Sequence, residues 1–178
     1  MGKGIDSLKL RKRSEKLAFL EVIGTDSTST FERLEGFTTL TFNANASEYD
    51  RRYVDEDTNR TDVTGYSESI NYNFDQYIGQ KALEEIVKIT EKEYTGTDAA
   101  RRIIVVDTSD LQSESTTGTT TYSAGAYVRY YAIVPSSNGD TTDCMTYSGD
   151  FKSRGEKKMC NVSMDADLQT ATIRASEK

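Results

Sequence analysis

Histidine is absent from this chain of 178 residues. That removes the Ser-His-Asp and Cys-His nucleophile systems and every zinc site built on imidazole. Tryptophan is absent too, and with it the usual aromatic platform of an exposed sugar-binding site. There is one proline, Pro135, and there are two cysteines, Cys144 and Cys160. No run is long and apolar enough to span a bilayer, and the N-terminus carries no apolar signal-peptide core. With no secretory signal, the glycosylation sequons at Asn45, Asn59 and Asn161 read as chance matches in a Ser/Thr-rich chain. Neither the P-loop pattern nor GxGxxG occurs. No spacing sets two carboxylates in one pocket, so a hydrolase site has no support. The expectation is a protein without catalytic activity, cofactor or metal.

Cations are outnumbered, with 22 Lys and Arg against 29 Asp and Glu, for a net charge of −7. Such a chain lacks the cationic surface that grips a phosphate backbone, yet it can let nucleic acid slide past. Hydrophobic residues make up only 35 %, which suits one domain with arms or long loops. The apolar residues cluster in short patterned runs, and tyrosine is plentiful at 11 residues, as on strand surfaces and interfaces.

Residues 1–16 form a basic arm with Lys9, Arg11, Lys12, Arg13 and Lys16. A first strand follows over residues 17–23, then a Ser/Thr turn. Phe37–Asn43 (FTTLTFN) reads as a strand. Residues 44–65 are polar and too long for a turn, which predicts a functional loop. Residues 67–74 give the clearest strand, with Ile70, Tyr72 and Phe74 alternating with Ser69, Asn71 and Asn73. Residues 75–93 predict the one helix, with Asp75 as N-cap and a stripe of Ala82, Leu83, Ile86, Val87 and Thr90. Its polar face is assigned Lys81, Glu84, Glu85, Lys88, Glu91 and Lys92.

Residues 101–107 predict a strand buried on both faces, because Ile103, Ile104, Val105 and Val106 are consecutive. Residues 109–125 read as a mobile Ser/Thr/Gly loop. A strand over 126–134 then leads to a turn at 136–139. Residues 143–151 and 156–164 predict a hairpin, with Tyr147 opposite Cys160 and Met145 opposite Val162. That register points the two cysteines apart, so no bridge is expected. A last strand covers 168–173. The domain plan is an N-terminal arm and first strand over 1–30, then one domain over 31–178. The sum is a mainly β fold, a β-sandwich or partial barrel with one flanking helix.

One motif suggests a metal and fails. Asp55, Asp57 and Asn59 have the spacing of the first three ligands of a calcium loop. Arg60 then stands where Gly is needed, and Tyr66 where a bidentate Glu is needed.

Six segments, in order, carry a family resemblance: FERLEGFTTL at 31–40, EYDRRYVDE at 48–56, TDVTGYS at 61–67, LEEIVKIT at 83–90, YAIVP at 131–135 and TYSGDFK at 146–152. Together they resemble the major tail, or tail tube, proteins of phages and prophages of Gram-positive bacteria. Residues 1–16 and the Thr-rich insert 113–122 lie outside the resemblance.

The resemblance implies a tail-tube-like β-sandwich whose six copies close a ring, their sheets joining in a continuous inner β-barrel. Rings would stack into a hollow tube that conducts DNA from the virion into the host. The stacking loop would include Tyr49, Arg51, Arg52, Tyr53, Asp55, Glu56 and Asp57. The lumen-facing strand would present Ser69, Asn71 and Asn73, although an ordinary solvent-facing sheet surface accounts for the same pattern. Implied partners are further copies of the chain, a tape measure protein, and tail-tip and tail-terminator proteins, with DNA in transient passage and no membrane insertion. The implied location is the virion tail tube, after synthesis in the bacterial cytoplasm. One alternative is the inner tube of a contractile tail or phage-tail-like bacteriocin. Another is a monomeric β-sandwich binding module.

Overall fold

The structure, a computed structural model, describes residues 11–116, 118–140 and 143–174. Residues 1–10, most of the expected basic arm, lie outside that set. The elements in chain order are β1 (Lys16–Ile23), β2 (Ser29–Arg33), β3 (Phe37–Asn43), β4 (Ala46–Arg51), β5 (Arg60–Tyr66), β6 (Ser69–Asp75), α1 (Lys81–Glu91) and β7 (Ala100–Asp107). Then follow β8 (Gln112–Thr116), β9 (Thr119–Asp140), β10 (Met145–Ser153), β11 (Lys158–Met164) and β12 (Thr170–Arg174). The chain is mainly β with one α-helix among the described residues, as expected. Where one domain over 31–178 was expected, the chain divides into two compact units.

The first unit takes residues up to Leu34, Ile103–Val128, and the chain from Lys157 onward. Its strands close a six-stranded antiparallel barrel in the order β1, β2, β12, β11, β9, β7 and back to β1. Alternate residues point inward, which brings Leu17, Phe19, Phe31, Ile104, Val106, Val162 and Met164 into one core. Ile103 to Val106 are all buried, as their unbroken apolar run predicts. Within residues 109–125, expected as a loop, Gln112–Thr116 and the chain from Thr119 onward are strand. Gln112–Thr116 pairs with β9 around Gly118, whose φ of +82° suits the turn. Thr and Ser fit a pleated surface once a partner strand is present, and composition did not reveal that partner.

The second unit comprises Glu35–Arg102 and Arg129–Glu156. Its sheet has four antiparallel strands in the order β3, β6, β10, β9. On one face Ile70, Tyr72, Phe74, Tyr147 and Phe151 are buried. Tyr72 and Phe151 lie 4.6 Å apart between ring centroids, and Phe74 and Tyr147 5.6 Å. The helix supplies Ala82, Leu83, Ile86, Val87 and Ile89 to the core, and the Tyr147 hydroxyl donates to Glu91 Oε1 at 2.9 Å.

Four local expectations change. The helix begins at Lys81, and Asp75 closes β6 opposite Thr146 instead of capping the helix. Gly79 N–H donates to Glu84 Oε1 at 2.8 Å near the helix start. Residues 136–139 are no turn; β9 runs through them, with Ser137 opposite Ser148. The expected β10–β11 hairpin does not form, since β10 pairs with β6 and β9, and β11 with β9 and β12. A period of two is satisfied by any neighbour of the same phase, so the pattern did not choose between them. Cys144 and Cys160 are not bridged to one another.

Candidate assembly surfaces: a polar sheet face and an extended arm

The second face of the four-stranded sheet is hydrophilic. Strict alternation in β6 buries Ile70, Tyr72 and Phe74 and turns Ser69, Asn71 and Asn73 to the other side. The ladders extend that side over both neighbours. Thr39, Thr41 and Asn43 of β3 stand opposite Asn73, Asn71 and Ser69, and so do Ser148, Asp150 and Lys152 of β10. Side-chain amides cross the strands. Asn43 donates to Asn71, and Asn71 donates to the Asp150 carboxylate. The Ser137 and Ser148 hydroxyls share a hydrogen bond of 2.7 Å. The face is thus a Thr/Asn/Ser surface on which β10 places one acid and one base. Sequence reasoning found the β6 residues but missed Asn43 and Asp150. The pairing of strands distant in sequence is what brings them together.

Gly149 completes the opposite, apolar side. It faces Tyr72 across the ladder, and a side chain there would collide with the Tyr72 ring and the Val134 carbonyl. The Tyr72 hydroxyl is buried with no hydrogen-bond partner among the described residues. Burial, with the Asp150 charge second, pushes its pKa far above the usual tyrosine value.

Residues 44–65, read as a loop, fold into a hairpin arm. β4 and β5 pair only with each other, as a separate two-stranded sheet. The arm springs from the Asn43–Ser69 pair that ends the β3–β6 ladder. Asn45, at φ +45°, makes the bend, a conformation that asparagine tolerates better than most residues. Its amide donates to Ser67 O at 2.9 Å and to Ser69 Oγ at 3.0 Å, which holds the root.

The arm brings several expected loop residues into one cluster. Arg51 and Arg60 are directly opposite in the ladder. Tyr53 relieves that like-charge pair, with Arg51 5.7 Å and Arg60 5.8 Å from its ring centroid. Arg60 also pairs with the Glu56 carboxylate, and Arg52 Nε donates to Glu56 O at 3.2 Å. Arg51 lies 6.0 Å from the Tyr49 ring. Asp55 and Asp57 are exposed beside this cluster. Among the described residues, no three Cys, Asp or Glu side chains gather as metal ligands would. No residue between 46 and 66 is buried, and Tyr49, Tyr53, Val54, Val63 and Tyr66 are exposed. An isolated two-stranded hairpin is marginal in water.

The unit also holds a buried ion pair that periodicity misplaced. Glu85, assigned to the polar face of the helix, is buried against Arg101, with Nη2 to Oε1 at 2.6 Å and Nε to Oε1 at 2.9 Å. Arg101 Nη1 also donates to the Asp98 and Ala100 carbonyls, each at 2.8 Å.

No family model and no curated protein matches the chain. Among solved structures, the chain is similar to one in the cryo-EM structure of the anti-feeding prophage baseplate, solved with sixfold symmetrisation. The identity is 10 %, the TM-score 0.43, and the match covers 85 % of this chain and 97 % of that one.

Proposed function

We propose that this chain is a non-catalytic structural subunit of a phage-type tail tube. Six copies close a ring, rings stack through the 46–66 arm, and the polar face of the four-stranded sheet lines the bore. The observation that carries this reading is the sheet itself. It pairs a fully apolar face with an almost uncharged Thr/Asn/Ser face that spans several strands.

Strand direction supports the ring. Across the four strands that carry this face, β3 and β9 run in opposite directions, and β3 ends the sheet while β9 is followed by β7. A rotated copy would set its β3 against β9 in antiparallel sense only beyond the stretch of β9 that pairs with β7. β3 contains no charged residue and no proline, the usual guards of a terminal strand. On the lumen side, Asn, Thr and Ser hydrate the wall without the density of Lys and Arg that would hold a phosphate backbone. The family resemblance at 31–40, 48–56 and 146–152 falls on the end of β2 and the start of β3, on the arm and on β10.

Negative-stain microscopy of the purified chain at high concentration tests the proposal. Sixfold rings or stacked tubes are expected. A chain that remains monomeric by sedimentation and shows no rings overturns it.

A further inference from the structure

The turn expected at 136–139 rested partly on Asn138 and Gly139, which the extended course of β9 does not use as a turn. The chain has seven asparagines, and only Asn138 is followed by glycine. The others precede Ala, Arg, Tyr, Phe or Val. Asparagine is a thermolabile residue because its side-chain carbonyl carbon is open to attack by the next peptide nitrogen. A Cβ on the next residue crowds that nitrogen, and glycine has none.

The strand controls whether the attack can occur. A five-membered ring needs the Gly139 nitrogen nearly eclipsed with the Asn138 Cα–Cβ bond, and extended backbone holds the two apart. The site must therefore leave the ladder before it reacts. Asn138 stands opposite Tyr147, and Gly139 opposite Thr146, whose Oγ1 donates to Gly139 O at 3.2 Å. β10 is the strand that holds them there. β8 and β11 pair with β9 over residues 119–128, and Ile133 N–H already meets Ala99 O, just before β7 begins. The Asn138 side chain is exposed. A strand end held from one side opens at lower cost than the core.

We propose that Asn138 is a self-modification site, converted to aspartate and isoaspartate when the last residues of β9 open from β10. In the open strand the Gly139 nitrogen bonds to Asn138 Cγ. The bond from Cγ to Nδ2 breaks, and that nitrogen leaves as ammonia with the Gly139 amide proton. Water then opens the cyclic imide. Cleavage at Cγ gives aspartate, and cleavage at the backbone carbonyl gives isoaspartate, with the chain running through Cγ. Either product adds a negative charge on the face that Asn138 shares with Tyr147, whose hydroxyl donates to Glu91. Isoaspartate also lengthens the backbone by one carbon, which disturbs the register of the residues that follow in β9.

Peptide mapping by mass spectrometry tests this on the full chain, incubated at mildly alkaline pH with and without guanidinium chloride. Asn138 is expected to convert ahead of every other asparagine in both, and at least about tenfold faster when unfolded. Earlier conversion of another asparagine, or an intact Asn138 after weeks in the folded chain, overturns the site. Equal rates in the two conditions overturn the control by β10. Thr146→Val removes the hydroxyl that holds Gly139. It is expected to raise the folded-state rate about two- to tenfold, as loss of one hydrogen bond does, and to leave the unfolded rate unchanged. An unchanged folded-state rate again overturns the control by β10. Gly139→Ala adds a Cβ whose nearest neighbour, Thr146 Oγ1, is 3.9 Å away, so the fold accommodates it. This variant is expected to keep Asn138 intact over the period in which the native chain converts. Conversion at the native rate overturns the chemistry.

Discussion

Gly149 lies directly opposite Tyr72 in the β6–β10 ladder, and a Cβ on Gly149 would stand 2.6 Å from the Tyr72 hydroxyl. The missing side chain leaves room for the Tyr72 ring, whose centroid lies 4.6 Å from that of Phe151. Gly149→Ala forces the ring or the strand to move and is expected to cost about 1–3 kcal/mol, as overpacking does. Tyr72→Phe keeps the ring and removes a buried hydroxyl that has no partner, so stability should hold or rise by up to ~1 kcal/mol. Urea denaturation of both variants checks this opposite pair of signs.

The Glu85–Arg101 pair gives a second test. Its side chains are only 3 % and 5 % exposed, so removal of Arg101 leaves the buried Glu85 carboxylate with Lys88 alone, at 3.4 Å. Arg101→Ala is expected to destabilise by about 3–5 kcal/mol, and Glu85→Leu with Arg101→Met together by much less. A double-mutant cycle by chemical denaturation measures the difference.

Ring stacking should depend on the charge of the arm. Arg51→Glu with Arg52→Glu removes one of the two guanidinium contacts to Tyr53 and enlarges the arm's surplus of acid. Stacked tubes are expected to shorten or vanish in micrographs, while the stability of the chain changes by no more than the ~0.5 kcal/mol typical of surface changes. Normal tubes from this variant would refute the assigned role of the arm.

Acid should loosen the barrel at the β8–β12 contact. Glu114 accepts from Arg174 at 2.6 Å and 3.0 Å and from Ser123 at 2.9 Å. The Arg174 hydrogen bonds, then that of Ser123, hold its carboxyl below the usual value of 4.5. A lowered folded-state pKa means stability that is complete above the unfolded value and lost as pH falls through the folded one. Melting curves from pH 6 downward should therefore fall more steeply for the native chain than for Arg174→Ala. The difference should shrink in high salt, because the pair is exposed.

Legibility followed the range of the interactions. The alternation of Ile70, Tyr72 and Phe74 lies within one strand, and it identified both the buried and the polar face. The run Ile103 to Val106 likewise marked a strand buried on both sides. Glu85 was misplaced because its charge reads as polar although it lies between the buried Ala82 and Ile89 on the helix, and its partner Arg101 lies beyond the helix. Ser136 to Gly139 carry turn chemistry, yet pairing with β10 holds them extended. The β10–β11 hairpin was inferred from proximity and phase, which give no signal of the division into two units. The arm was read as a loop because no residue in it is buried, so it lacks the apolar pattern by which a strand is recognised. The cluster around Tyr53 depends on the Arg51–Arg60 register, which only the closed hairpin sets.

The arm and the crossing at residues 76–80 leave β6 from opposite ends, so the two ends of the four-stranded sheet differ: one carries the 46–66 hairpin and the other the short link to the helix. Any assembly that aligned these strands with its axis would therefore be polar, with unlike surfaces at its two termini.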